Sequence, residues 1–194
     1  MRGRGRQRRN VGGRPPATQR KTMAGILYIL RTGCQWNAAP NEQFGSGKTL
    51  HRYLQNWRKR GVFKKLWQAS LTAYDELRGI AWEWQAVDGA MTKAPLGGEA
   101  TGPNPTHRAK RGTQRSLLVD GRGAPLGMVV SGANRNDVKL LEPTLDAVAV
   151  ARPEPTPDAE QHLCLDKGYP GAGVEQAAAE RGYQLHRPAK KKTG

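Results

Sequence analysis

Two aspartates stand where a folded chain could place chemistry. Asp88 lies in Trp84-Gln85-Ala86-Val87-Asp88-Gly89, and Asp166 lies in Leu163-Cys164-Leu165-Asp166-Lys167-Gly168. Each ends a short apolar run and precedes a Gly turn signal, the pattern of a β-strand presenting a carboxylate at its tip. Two such tips on adjacent strands can share Mg²⁺ for phosphoryl transfer. Taken singly, each aspartate reads as a turn residue. Taken together, with Lys93 and Lys167 behind them in a basic chain, they form a candidate metal site. Such a site takes a third carboxylate, and no residue after Asp166 stands out as one. Asp120, in Val119-Asp120-Gly121-Arg122-Gly123, reads as the opening of a hairpin turn. Asp120 and Asp137 become alternative third ligands only if the chain is a nuclease of another kind.

The elements that must position these carboxylates change character along the chain. Residues 1–17 are rich in Arg and Gly and end in Gly12-Gly13-Arg14-Pro15-Pro16. They read as a disordered basic arm that orders on meeting phosphate. Helical spacing follows at Met23, Ile26, Leu27 and Leu30, with Thr18 or Thr22 as caps and Gly33 as the stop. A loop with one helical turn near Asn41 leads to a second helix, striped by Leu50, Tyr53, Leu54 and Trp57 and ended by Gly61. A third helix carries Phe63, Leu66, Trp67, Leu71 and Tyr74 and stops near Gly79. From residue 80 the runs at 82–88, 116–120, 126–130, 162–166 and 183–186 read as strands. Helices are expected around Val138–Val148, with Asp137 as N-cap, and over 173–181. The order β, β, β, α, β, α, β implies a mixed sheet with helices on its faces. The fold class is therefore α+β/mixed, with an N-terminal three-helix, helix-turn-helix-like unit over 18–79 and a sheet domain over 80–194. The five Trp residues read as core anchors.

Charge points to a partner. Lys and Arg number 32 against 16 Asp and Glu, a net charge of +16. Residues 1–21 hold eight basic side chains and no acid, and residues 48–65 hold seven more, again with no acid. A basic front half ahead of a mixed back half favours nucleic acid over a merely solvated surface. The second helix exposes His51, Arg52, Arg58, Lys59 and Arg60 around its apolar stripe, as a helix entering a DNA groove would. Arg14 in the arm can follow the backbone. Between the first two strands, Gly102-Pro103-Asn104-Pro105-Thr106-His107-Arg108-Ala109-Lys110-Arg111-Gly112 offers Arg108, Lys110 and Arg111 to a phosphate backbone near the carboxylates. His107 receives no role. Gly45-Ser46-Gly47-Lys48-Thr49 mimics a phosphate-binding loop, but Glu42 occupies the first Gly position and no strand precedes it, so nucleotide binding is rejected. Cys34 and Cys164 are isolated, which argues against a zinc site and a disulfide framework. No apolar stretch approaches the ~20 residues of a membrane span, and no secretory signal follows the basic N-terminus. A cytoplasmic, nucleoid-associated setting is expected.

Several separated motifs, in order, resemble the bacterial insertion-sequence-five family of transposases. They are Gly12–Pro16 with Gly25-Ile26-Leu27-Tyr28-Ile29-Leu30-Arg31-Thr32-Gly33-Cys34-Gln35-Trp36, then Asp88-Gly89-Ala90-Met91-Thr92-Lys93, Lys110-Arg111-Gly112-Thr113, Ser131-Gly132-Ala133-Asn134 with Asn136-Asp137-Val138, and Leu165-Asp166-Lys167-Gly168-Tyr169. The resemblance implies a ribonuclease-H-like core and an Asp-Asp-Glu triad, with Asp88 as first and Asp166 as second carboxylate. It implies Mg²⁺ or Mn²⁺ as cofactor, and cleavage and joining of double-stranded DNA at terminal inverted repeats and at a target. The family's Glu lies on a later helix, so the sheet is expected to be incomplete here and the chain alone to bind DNA without cleaving it. Programmed slippage at Lys190-Lys191-Lys192 or decay of the element would account for that. Assembly with itself or with a full-length transposase is open. So are two other functions: a DNA-binding regulator of the full-length enzyme, and a non-functional remnant.

Overall fold

The computed structural model describes residues 17–188; Arg14, Lys190–Lys192 and all of the basic arm but Ala17 lie outside the described residues. The chain divides into two compact units, 1–63 and 64–194.

In the first unit, helix α1 (Gln19–Thr32) ends at Gly33, whose φ of 68° is the left-handed turn that a residue without Cβ adopts cheaply. The short helix α2 (Asn41–Phe44) and helix α3 (Gly47–Lys59) follow. Ser46 caps α3 by accepting a hydrogen bond from the Thr49 amide, so the segment that mimics a phosphate loop is a helix start. Ile26, Ile29, Phe44, Leu50 and Trp57 form the core. The buried stripe of α1 is Thr22, Gly25, Ile26 and Ile29, not the expected Met23, Ile26, Leu27 and Leu30, and both Leu27 and Leu30 are exposed. The stripe turns because Gly25 lets Phe44 and Leu50 come against the helix backbone, where any Cβ would crowd them.

The second unit starts inside helix α4 (Val62–Arg78). The sequence placed the boundary at 79/80, but Leu71 is buried in the core of the sheet unit, Trp67 and Tyr74 pack against that core, and Trp67 Nε1 donates to the Pro125 carbonyl at 2.9 Å. Strands β1 (Trp84–Lys93), β2 (Gly102–Pro103), β3 (Arg111–Asp120), β4 (Pro125–Gly132), β5 (Gln161–Cys164) and β6 (Tyr183–His186) form one mixed sheet in the order β2-β3-β1-β5-β6, with β4 also paired to β3. The β4–β3–β1 ladder is antiparallel, whereas β5 and β6 run parallel to β1. The mixed sheet with helices that the sequence implied is present. Helices α5 (Val138–Asp146) and α6 (Ala172–Ala179) supply the crossovers around the parallel strands.

Side-chain alternation sorts the sheet. Val87, Leu118, Leu126, Leu163 and Leu165 form one buried core with Leu141, Leu145 and Val174 of the helices. The other face carries exposed Trp84, Met128 and Val130. Trp84 is thus no core anchor: it stacks on His162, with ring centroids 4.3 Å apart.

Candidate active site

Asp88 is not at a strand tip. It is an interior residue of β1, which runs on to Lys93 because β3 pairs with it as far as Lys93↔Gly112. The long antiparallel partner overrides the turn signal of Asp88-Gly89. Asp166 does lie just beyond β5. The two strands are parallel, and their last register pair is Ala86↔Cys164. That pairing stops two residues short of both aspartates; beyond it, Asp88 and Asp166 each bear electrostatically on the Tyr169 phenol. Both side chains are exposed. Asp88 Oδ1 accepts the Gly89 amide at 2.8 Å, and Asp166 Oδ1 accepts the Gly168 amide at 2.8 Å. Each carboxylate therefore keeps lone pairs free for a cation.

A polar layer that the sequence did not reveal lies close by. Tyr169 is 1% exposed, and its hydroxyl has no hydrogen-bond partner of normal geometry among the described residues. Burial raises its pKa and Asp137 adds to the shift; Ser116 opposes it, and Asp166 and Asp88 push upward by less. The phenol therefore stays protonated. Gln114 Nε2 donates to Asp137 Oδ1, while Gln114 Oε1 is buried without a partner. Asp137 presses against Gly89, where any Cβ would collide with Oδ1. The sequence clue was the spacing Asn136-Asp137-Val138 with Tyr169, which names residues but not their meeting place. Asp137 makes no side-chain cap to α5. Asp120 is a turn residue, as expected: it is 2% exposed and accepts the amides of Ala81, Arg122 and Ala124.

The basic residues fall into two groups. His51, Arg52, Arg58, Lys59 and Arg60 are all exposed at α3, with Arg60 as its C-cap. Arg108, Lys110 and Arg111 are exposed on the loop entering β3. In that loop Arg108 and Ala109 have φ of 49° and 54°. Left-handed backbone at residues bearing a Cβ costs on the order of 1 kcal/mol each.

Among the described residues no three Asp, Glu, His or Cys side chains form a group that could enclose a metal ion. Asp88 and Asp166 each offer an exposed carboxylate with oxygens open to solvent. This donor set suits a hard divalent ion that retains water and substrate oxygens as its other ligands.

Two family models match the chain. Residues 2–67 match one described as "Putative transposase of IS4/5 family", and residues 84–194 match one described as "Transposase DDE domain". The chain belongs to the DDE transposases of the insertion-sequence four/five type. Transposase DDE domains generally use divalent metal ions. Two proteins of Burkholderia cepacia are similar: "Insertion element IS402 uncharacterized 16.2 kDa protein", 34% identical over 48% of this chain, and "Putative transposase for insertion sequence element IS402", 36% identical over 43% of it. The matched regions span 64% and 41% of those relatives. Among solved structures, a Mos1 mariner paired end complex with Mn shares 12% identity over 90% of this chain and 60% of that one, at a TM-score of 0.37. A piggyBac transposase synaptic complex with hairpin DNA shares 12% over 93% and 44%, at 0.44.

Proposed function

We propose that this transposase chain binds double-stranded DNA and holds a divalent ion, Mg²⁺ or Mn²⁺, between Asp88 and Asp166 for phosphoryl transfer in transposition. The observation that supports the reading is that Asp88 on β1 and Asp166, just past the parallel neighbour β5, both bear electrostatically on the buried Tyr169 phenol. The bound ion would activate an attacking oxygen and stabilise a leaving one. The chain's own contribution is placement. Asp88 is fixed by its ladder to β3, opposite Leu117, and Asp166 by its bond to the Gly168 amide. Tyr169 remains neutral beside them and adds no competing anion. The exposed cations of α3 and of the Arg108–Arg111 loop supply DNA-backbone contacts, whose affinity falls steeply with salt. With two carboxylates offered to the ion, the described residues support DNA binding without strand cleavage.

Mn²⁺ titration of the 194-residue chain, followed by electron paramagnetic resonance, tests the site. Asp88→Asn and Asp166→Asn should each weaken Mn²⁺ at least about tenfold, or about 1.4 kcal/mol. Duplex affinity without metal should stay the same. Equal Mn²⁺ binding by wild type and both variants would sink the assignment. Mg²⁺-dependent cutting of inverted-repeat DNA by this chain would overturn the view that it binds without cleaving.

A further inference from the structure

A second built feature lies beyond the carboxylates, on the same strand. β1 ends at Lys93, and the chain then turns through Ala94–Gly97, where the Gly97 amide donates to the Ala94 carbonyl at 2.9 Å. It returns to β3 through a turn organised by Asn104, which is only 4% exposed. The Asn104 carbonyl accepts the amides of His107 and Ala109, and its side-chain oxygen accepts the amide and hydroxyl of Thr106. The Asn104 amide donates to the Lys110 carbonyl, and the Lys110 amide to the His107 carbonyl. These bonds hold Arg108 and Ala109 in left-handed backbone that neither side chain favours. A flexible solvated loop would relax out of that conformation. Here the turn is overdetermined, and it faces a cleft of about 390 Å³ lined by Lys93, Pro95, His107, Lys110 and Arg111.

The lining has one chemistry. Lys93, Lys110 and Arg111 bring cationic donors, His107 brings a ring nitrogen, and the Pro95 ring gives an apolar wall. No acid lines the cleft. A single phosphodiester with its sugar matches that set: anionic oxygens for the cations, an apolar edge for the proline.

We propose that this cleft seats one DNA backbone phosphate, with Lys93 and His107 as contacts alongside Lys110 and Arg111. The proposal rests on the DNA-binding reading above and deepens it. Lys93 follows Asp88 by five positions along β1. At about 3.4 Å per residue, that separation is about 17 Å. An odd offset puts the two side chains on opposite faces of the strand, so the seat is distinct from the carboxylates. The residues of the cleft are positioning residues.

The test uses the whole chain and a labelled duplex of random sequence. Fluorescence anisotropy over a salt series gives affinity and slope, and the His107 ring resonance reports occupancy of the cleft. Lys93→Ala combined with Lys110→Ala should weaken binding about tenfold and reduce the salt slope by about one, for the single phosphate the cleft neutralises. His107→Gln keeps a donor of similar size and should weaken binding about twofold or less. Ala109→Gly relieves the left-handed strain and should leave affinity within about twofold of wild type, which shows that the turn is intact as a frame. The His107 resonance should shift on adding duplex, and shift equally in an Arg52→Ala variant, which removes a cation from the other unit. If wild type binds duplex while the His107 resonance stays still and the double variant keeps the wild-type slope, the cleft is no phosphate seat although the DNA-binding reading stands. If wild type binds no duplex, both fall.

Discussion

The two ends of the parallel part of the sheet treat buried polarity in opposite ways. At the end where β1 and β5 begin, Gln85 and Gln161 are 1% and 3% exposed, and nearly every polar atom is matched. Gln85 Nε2 bonds the Trp82 carbonyl and Gln161 Oε1, Tyr183 donates to Gln85 Oε1 at 2.8 Å, and Arg152 Nε donates to Gln161 Oε1 at 2.7 Å. The Arg152 guanidinium also lies 3.6 Å over the Tyr183 ring, and only its Nη2 lacks a partner. Burial lowers the Arg152 pKa, yet the group stays charged, because its ordinary value is so high. At the other end stand Asp88 and Asp166 with open lone pairs, and, among the described residues, Tyr169 with only Ser116 near its hydroxyl and Gln114 with an unbonded carbonyl. A satisfied network fixes a fold; an end that leaves polar groups open has been kept ready for something else.

The sharpest way to break this contrast is Gln161→Ala. It removes the acceptor shared by Gln85 and Arg152 and the donor to the Pro153 carbonyl. Stranding buried partners, one of them charged, should cost about 3–5 kcal/mol. Urea unfolding followed by circular dichroism measures the loss, while Mn²⁺ affinity of the folded fraction should hold. A smaller, opposite perturbation is Gly89→Ala. The new Cβ meets Asp137 Oδ1 and sits 2.8 Å from Gln114 Nε2. Both are side-chain ends that can give way, so stability should fall by only about 1–2 kcal/mol. Unlike Gln161→Ala, it should disturb Mn²⁺ binding more than stability. Equal effects of both variants on metal and on folding would erase the distinction between the two ends.

The same contrast explains what could be read in the residues beforehand. Apolar runs bounded by Gly and Pro marked nearly every strand and helix, and Gly33, Gly61 and Gly79 marked helix ends. Asp88 and Asp166 stood out because a carboxylate after an apolar run is locally unusual. What was hidden depended on register. That β1 continues past Asp88 follows from its pairing with β3, and that α4 joins the sheet unit follows from where Leu71 is buried. The α1 stripe moved by one position because Gly25 invites close packing, which periodicity ignores. The polar layer of Gln114, Asp137 and Tyr169 draws on β3, the start of α5 and the segment after β5. No linear window contains it.

The finest test replaces one tyrosine at each end. Tyr183→Phe strands Gln85 Oε1 and should destabilise by about 1–2 kcal/mol, whereas Tyr169→Phe removes a buried hydroxyl that had no partner and should be neutral or stabilising by up to about 1 kcal/mol. Alkaline pH separates them further. Burial raises both phenol pKa values, with Arg152 pulling Tyr183 partly back and the nearby aspartates pushing Tyr169 further up. A raised folded pKa means that the folded state keeps a proton the unfolded chain releases near pH 10. That stability is fully present below about pH 10 and declines as pH rises above it. Tyr169→Phe should therefore flatten the alkaline loss more than Tyr183→Phe, as read from urea midpoints at rising pH. If Tyr169→Phe instead lowers stability as much as Tyr183→Phe, the Tyr169 hydroxyl has a partner in solution, and the carboxylate end is as fully satisfied as the other.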